Sequence, residues 1–131
     1  LARCTLPILR AAGGGVIVQI NSISGKRGSY RNTAYCASKA ALESLVRHLA
    51  VELAPRGVRV NAVSAGVVDT DALKHFPNRE QMLSESARRT PAGRLVEPKD
   101  VADAVLWLAS PLASMIVGQT VVVDGGYSVV A

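Results

Sequence analysis

The order of elements predicts an α/β fold built on a parallel sheet. Short β-branched runs at residues 16–20, 58–63 and 119–123 alternate with longer stretches that are apolar at helical spacing. Strands alternating with helices signal right-handed crossover units and hence parallel pairing. The 131 residues suit one modest domain, spanning 1–131, and a hydrophobic content of 49% supplies enough apolar side chains for a buried core.

Residues 1–12 are apolar at helical spacing through Leu6 and Leu9, and stop at Gly13-Gly14-Gly15. The chain enters directly in this helix, which predicts that it starts inside a larger fold. Residues 16–20 read as a buried strand, and residues 21–32, with Gly25, Gly28, serines and charges, as a loop. A long helix is expected over residues 33–54. Leu42, Leu45, Val46, Leu49 and Leu53 form its apolar stripe, with Glu43 and Arg47 as an i,i+4 pair on the opposite side. Ala37, Ala41 and Ala50 widen the non-polar coverage, so the helix is expected to pack on a sheet and on a second surface.

Pro55-Arg56-Gly57 breaks that helix, and residues 58–63 alternate like a strand. Residues 64–71 form the loop beyond its carboxyl end. Residues 72–89 are helical and amphipathic, interrupted at Pro77-Asn78. Residues 91–98 connect to a helix that opens with Pro98 and runs to about residue 109, where Trp107 reads as core packing. Residues 119–123 form the last strand, closed by Asp124-Gly125-Gly126. Three strands make a thin sheet, which again predicts a larger whole.

The strongest chemical signal is Tyr35-Cys36-Ala37-Ser38-Lys39, with Ser22 at the end of the preceding strand. Side chains at i and i+4 share one helix face, so the phenol and the ammonium act on one small volume. A free phenol ionises near pH ~10, and a fixed positive charge beside a phenol favours its anion. Such a phenol can exchange a proton with an alcohol or ketone oxygen, and a serine hydroxyl can hold that oxygen.

Other classes find little support. The net charge of +5 comes from scattered basic residues, and the densest group, Arg88-Arg89 with Arg94, has no interleaved aromatics, which argues against nucleic acid. No apolar run approaches the ~18 residues of a membrane span. Cys4 and Cys36 lack metal-ligand or redox spacing, and two uncoupled thiols predict a reducing, cytoplasmic setting. His48 and His75 form no metal-ligand pattern, so no metal is expected.

Residues 17–41, with Asn21-Ser22-Ile23-Ser24-Gly25 and Tyr35-Cys36-Ala37-Ser38-Lys39-Ala40-Ala41, resemble the catalytic core of the short-chain dehydrogenase/reductase family. Arg59-Val60-Asn61-Ala62-Val63 resembles that family's sixth strand, and Asp124-Gly125-Gly126 the turn after its seventh. The resemblance implies a Rossmann-type doubly wound parallel sheet, of which this chain holds the last three strands and their helices. It implies NADP or NAD as cofactor, and a small-molecule or acyl-carrier-linked carbonyl substrate. In that reading Tyr35 is the acid/base, and Lys39 favours the phenolate while bonding the nicotinamide ribose. Ser22 orients the reacting oxygen. In the loop after residue 63, Gly66, Val68 and Thr70 match positions that contact the nicotinamide carboxamide, while Ala65 stands where the family usually has proline. Homo-oligomers, as dimers or tetramers, are also implied.

The Gly-rich dinucleotide fingerprint is absent: Gly13-Gly14-Gly15 precedes its strand, and Gly25 and Gly28 do not open a helix at the second glycine. The resemblance places that fingerprint, the ribose selector and a fourth catalytic asparagine upstream of Leu1. Residues 71–94 correspond to the substrate loop, where Leu73, Phe76, Met82 and Leu83 line either an apolar channel or the core face of two short helices. This stretch is similar to the enoyl-[acyl-carrier-protein] reductase III subgroup. That subgroup, however, separates its tyrosine and lysine by six residues, and Asn32 holds that position here. The three-residue spacing ranks 3-oxoacyl or general carbonyl reduction ahead of enoyl reduction. A third reading is a catalytically silent module, associating through residues 33–54 and the strand near Val121.

Overall fold

The computed structural model describes residues 2–28, 32–74 and 78–130. Helix α1 (Ala2–Ala11) leads through the glycine stop into strand β1 (Gly15–Ser22) and a 3-10 turn (Ile23–Gly25). Helix α2 (Thr33–Leu53) and a 3-10 turn (Ala54–Arg56) precede β2 (Val58–Ala65). A 3-10 turn (Asp71–Leu73), α3 (Arg79–Arg89) and α4 (Pro98–Ala109) lead to a 3-10 turn (Pro111–Ala113) and β3 (Thr120–Val123). A last 3-10 turn covers Tyr127–Val129. The sheet has order β1-β2-β3 with both pairings parallel, as the alternation predicts.

The central strand explains the two-sided core. Successive side chains of a strand point to opposite faces, so β2 divides between two clusters. Val58, Val60 and Ala62 meet Val46, Ala50 and Leu53 of α2 on one face. On the other, Val63 meets Leu108 of α4 and Ala113. A parallel strand covered on both faces is largely apolar and buried along its length, and every residue of β2 is buried except Arg59 and Ala65, which are half-buried.

Four expectations need correction. Strand β1 runs to Ser22 rather than residue 20, and β2 to Ala65 rather than residue 63. The register pairs Asn21 with Ser64 and Ser22 with Ala65, so ladder hydrogen bonding carries the strands past the β-branched runs. Glu43 does not face away from the core with Arg47. Its side chain is only 12% exposed and pairs with Lys26 at 3.8 Å. Trp107 is not core: it is 41% exposed on α4, while Leu108 takes the buried position. The stripe on α2 is also narrower than its apolar content: Leu45 is exposed, as is Val51 further along the helix.

Candidate functional site

The carboxyl ends of β1 and β2 open into a cleft of about 600 Å³. Ligands of parallel α/β sheets bind beyond these strand ends. Ser22 and Ser24 come from the end of β1, Tyr35 from the first turn of α2, and Gly66, Val68 and Thr70 from the loop after β2. Pro98 and Val101 of α4 form part of the wall. Five of the six residues singled out from the sequence therefore line one cavity. The sixth, Lys39, is not in the wall, and its ammonium lies 5.4 Å from the centre of the Tyr35 ring. That is within the range over which a cation is attracted to an aromatic face.

Local structure accounts for this convergence. The Ser22 hydroxyl accepts from the Ser24 amide at 3.2 Å and donates to the Ser24 hydroxyl at 3.2 Å, capping the turn that ends β1. Its rotatable O–H thus sits at the cleft wall on a fixed backbone. Gly25 then lets this turn press on α2, because a Cβ there would sit 2.9 Å from the Lys39 carbonyl carbon and 3.0 Å from the Ala40 nitrogen. Tyr35, 48% exposed, lies at the open side of the cavity.

The loop after β2 is fixed by the turn after β3. The Gly66 amide donates to the Val123 carbonyl at 2.9 Å, and a Cβ at Gly66 would come within 2.8 Å of Asp124 Cβ. Val68 forms an isolated bridge to Val96. Burial pushes the Asp124 carboxyl up, but hydrogen bonds from Ser128 and Gly126 and the positive charge of Arg27 outweigh it, leaving the group below its ordinary value.

Leu73 and Met82 line the cleft, whereas Leu83 is half-buried outside its wall, and Phe76 lies outside the described residues. Asn32 lines the cleft as well. Sequence reasoning did not assign a role to Asn21, which is 4% exposed and donates from Nδ2 to the Lys39 carbonyl at 3.1 Å. Its register partner Ser64 is fully buried, and Asn21 Oδ1 and Ser64 Oγ have no hydrogen-bond partner among the described residues. A polar residue closing an apolar strand was the available signal.

Hydroxyls of Ser22, Tyr35 and Thr70 facing an otherwise largely apolar cavity, with an ammonium beside the phenol, suit an oxygen-bearing carbon and a carboxamide. Among the described residues, no helix is long and apolar enough to cross a membrane.

Comparison with known proteins adds the following. The family model described as enoyl-(acyl carrier protein) reductase matches residues 1–128. The cis-4-hydroxycyclohexanecarboxylate dehydrogenase of Sinomonas cyclohexanicum is 43% identical over 122 residues, covering 93% of this chain and 48% of that protein. A 7α-hydroxysteroid dehydrogenase solved with NADH and 7-oxo glycochenodeoxycholic acid superposes with a TM-score of 0.87 at 38% identity, covering 95% of this chain and 49% of that one. The enoyl-acyl carrier protein reductase of Bacillus cereus, solved with NADP+ and indole naphthyridinone, gives a TM-score of 0.91 at 32% identity, covering 99% and 50%. The chain spans about half the length of the curated relatives it matches.

Proposed function

The chain belongs to the short-chain dehydrogenase/reductase family, and on that premise we propose that it carries the proton-transfer half of an NAD(P)-dependent oxidoreductase interconverting a carbonyl and an alcohol. One observation carries the reading: the Tyr35 phenol lines the cleft that Ser22 also lines, with the Lys39 ammonium 5.4 Å from its ring centre.

Bound nicotinamide supplies or accepts the hydride. The residues of this chain manage the oxygen. In reduction, the Tyr35 hydroxyl gives its proton to the carbonyl oxygen as the carbon gains hydride, and in oxidation the phenolate takes it back. The Lys39 ammonium stabilises the negative charge that develops on the phenol during reduction. The Ser22 O–H turns from Ser24 to donate to the substrate oxygen. Gly66, Val68 and Thr70 would hold the nicotinamide carboxamide, and Lys39 the adjoining ribose.

The substrate class favoured is a ketone or its alcohol, 3-oxoacyl thioesters included. The three-residue Tyr–Lys spacing supports this over enoyl reduction, and dehydrogenases of ring alcohols among the relatives point the same way. The test is Tyr35→Phe in the full-length protein. Oxidation of NADH or NADPH with a ketone substrate should fall at least a thousandfold, roughly the value of a positioned proton donor, with an unchanged far-ultraviolet spectrum. Turnover retained by the variant removes the assigned role.

A further inference from the structure

Among the described residues, two arginines share one aromatic ring and form no ion pair. The guanidinium carbon of Arg27 lies 4.9 Å from the centre of the Tyr127 ring, and that of Arg89 lies 5.4 Å from the same centre. Ion pairs among the described residues occupy Lys26, Lys74, Arg79, Arg88, Arg94 and Lys99, but neither of these two. Among the described residues, Arg27 Nη1 is buried without a hydrogen-bond partner. Asp124 feels the charge of Arg27 and Glu85 that of Arg89, yet the Asp124 oxygens accept from the Gly126 and Ser128 amides at 2.9 and 2.8 Å, and the Glu85 oxygens from Arg88.

The three residues lie on segments that run on from the cleft wall, and none of them is in the wall itself. Ser24, Gly66 and Met82 line it. Arg27 follows Ser24 by three positions, and Arg89 lies seven positions, about 10 Å of helix, beyond Met82. Tyr127 follows the Asp124 turn on which Gly66 packs, and Gly125 and Gly126 of that turn abut Thr90 and Pro91 beside Arg89.

Two positive groups on one ring repel each other, and a cation–π contact returns only ~0.5–2 kcal/mol to each. A planar guanidinium with an open N–H is suited to carboxylate or phosphate oxygens. We propose that Arg27 and Arg89, stacked on Tyr127, bind an anionic group at the far end of the substrate, so that the preferred substrate is a ketone or alcohol bearing a carboxylate or a phosphate. This rests on the oxidoreductase reading above. The anion comes either from a small keto acid or from the phosphate of a carrier-linked acyl chain.

The experiment has one arm that needs no turnover. Acetate and inorganic phosphate are titrated into the full-length protein while the side-chain Nε–H resonances of its arginines are followed. Saturable shifts of Arg27 and Arg89, but not of Arg88 (paired with Glu85), are expected with at least one anion. Their absence with both overturns the proposal, whether or not the protein reduces ketones. The second arm compares kcat/KM for a keto acid with that for its methyl ester, and for a 3-oxoacyl phosphopantetheine thioester with that for a phosphate-free thioester. In Arg89→Met and Arg27→Met, the anionic-to-neutral ratio should fall about tenfold or more for one pair, as expected for a lost charge-assisted hydrogen bond. That pair identifies the source of the anion. Arg89→Lys, which keeps the charge, should restore part of the ratio. Equal losses on both members of each pair mean a structural role and sink the proposal. A protein that turns over no ketone counts against the oxidoreductase reading alone, and the titration still decides this one.

Discussion

The Asn21 side-chain amide donates a 3.1 Å hydrogen bond to the backbone carbonyl of Lys39. It ties the end of β1 to the helical turn that carries the ammonium beside Tyr35. Asn21→Ala removes a buried donor, but it also removes the unpartnered Oδ1, so the two effects partly cancel. The expected loss of stability is about 1 kcal/mol, the net worth of one hydrogen bond, read as a lower urea midpoint. The larger effect should be kinetic: kcat falls at least tenfold while KM for the substrate changes less, because the turn that places the ammonium loses its anchor. A fall in stability with kcat untouched would reduce Asn21 to packing.

Gly25 makes the same junction close-fitting, and Gly28 gives an internal control. A methyl group at Gly25 must displace the backbone of Lys39 and Ala40, at 2.9 and 3.0 Å, and backbone in a helix cannot yield as a side-chain tip does. Gly25→Ala should cost about 1–3 kcal/mol, the usual range for an overpacked contact. A Cβ at Gly28 meets nothing within 4 Å, and Gly28→Ala should stay within about 0.5 kcal/mol of the parent. Equal denaturation midpoints for the two variants would contradict the tight approach of the turn to α2.

Much of this junction was legible beforehand, for a physical reason. Period-two and period-3.6 patterns report which faces are buried, so the strand–helix alternation and the parallel sheet followed from the β-branched runs and the α2 stripe. The grouping of Ser22, Tyr35, Gly66, Val68 and Thr70 in one cleft is a matter of which strand ends share an edge, and topology settles that. Solvent exposure of a face was less legible. Trp107 and Leu108 are equally apolar neighbours, and only the direction of α4 against Val63 decides that Leu108 is buried. Glu43 was misplaced because i,i+4 spacing within α2 says nothing about Lys26, which arrives from the loop after β1. Contacts between distant segments, such as Asn21 to Lys39 or Arg27 to Tyr127, leave no periodic trace.

Asp124 predicts the shape of the acid limb. Its carboxyl is held below the ordinary carboxylate value in the folded state despite the opposing effect of burial, chiefly by the Ser128 and Gly126 hydrogen bonds. A depressed folded pKa means the unfolded chain takes up the proton first. The stabilisation is therefore present above the unfolded value, near ~4, and is lost as the pH falls through the lower folded value. In Asp124→Asn the melting temperature should be lower than the parent's at pH 6, and the gap should narrow as the pH falls below ~4. A gap that stays constant over that range would show that the charge on Asp124 contributes nothing.

Arg59 holds the opposite end of α4 from the cleft, and its role depends on the shape of the guanidinium. Nη1 donates to the carbonyls of Leu108 and Ala113 at 2.8 and 2.9 Å, and Nη2 to that of Ser110 at 3.1 Å. They lie at a helix end and its following turn, where a positive charge meets the negative pole of the helix; the Ser110 and Ala113 carbonyls also accept from the Ala113 and Ile116 amides at 3.3 and 3.0 Å. Arg59→Met removes the guanidinium donor from all three carbonyls and leaves that of Leu108 without one in a half-buried place, and should cost about 1.5–3 kcal/mol on the scale of charge-assisted bonds. Arg59→Lys keeps the charge, but one ammonium cannot reach all three acceptors in the fixed fork that arginine presents. It should therefore recover less than half of the loss. Full recovery by lysine in urea denaturation would mean that charge alone matters and that the three-carbonyl geometry does not hold α4 to β2.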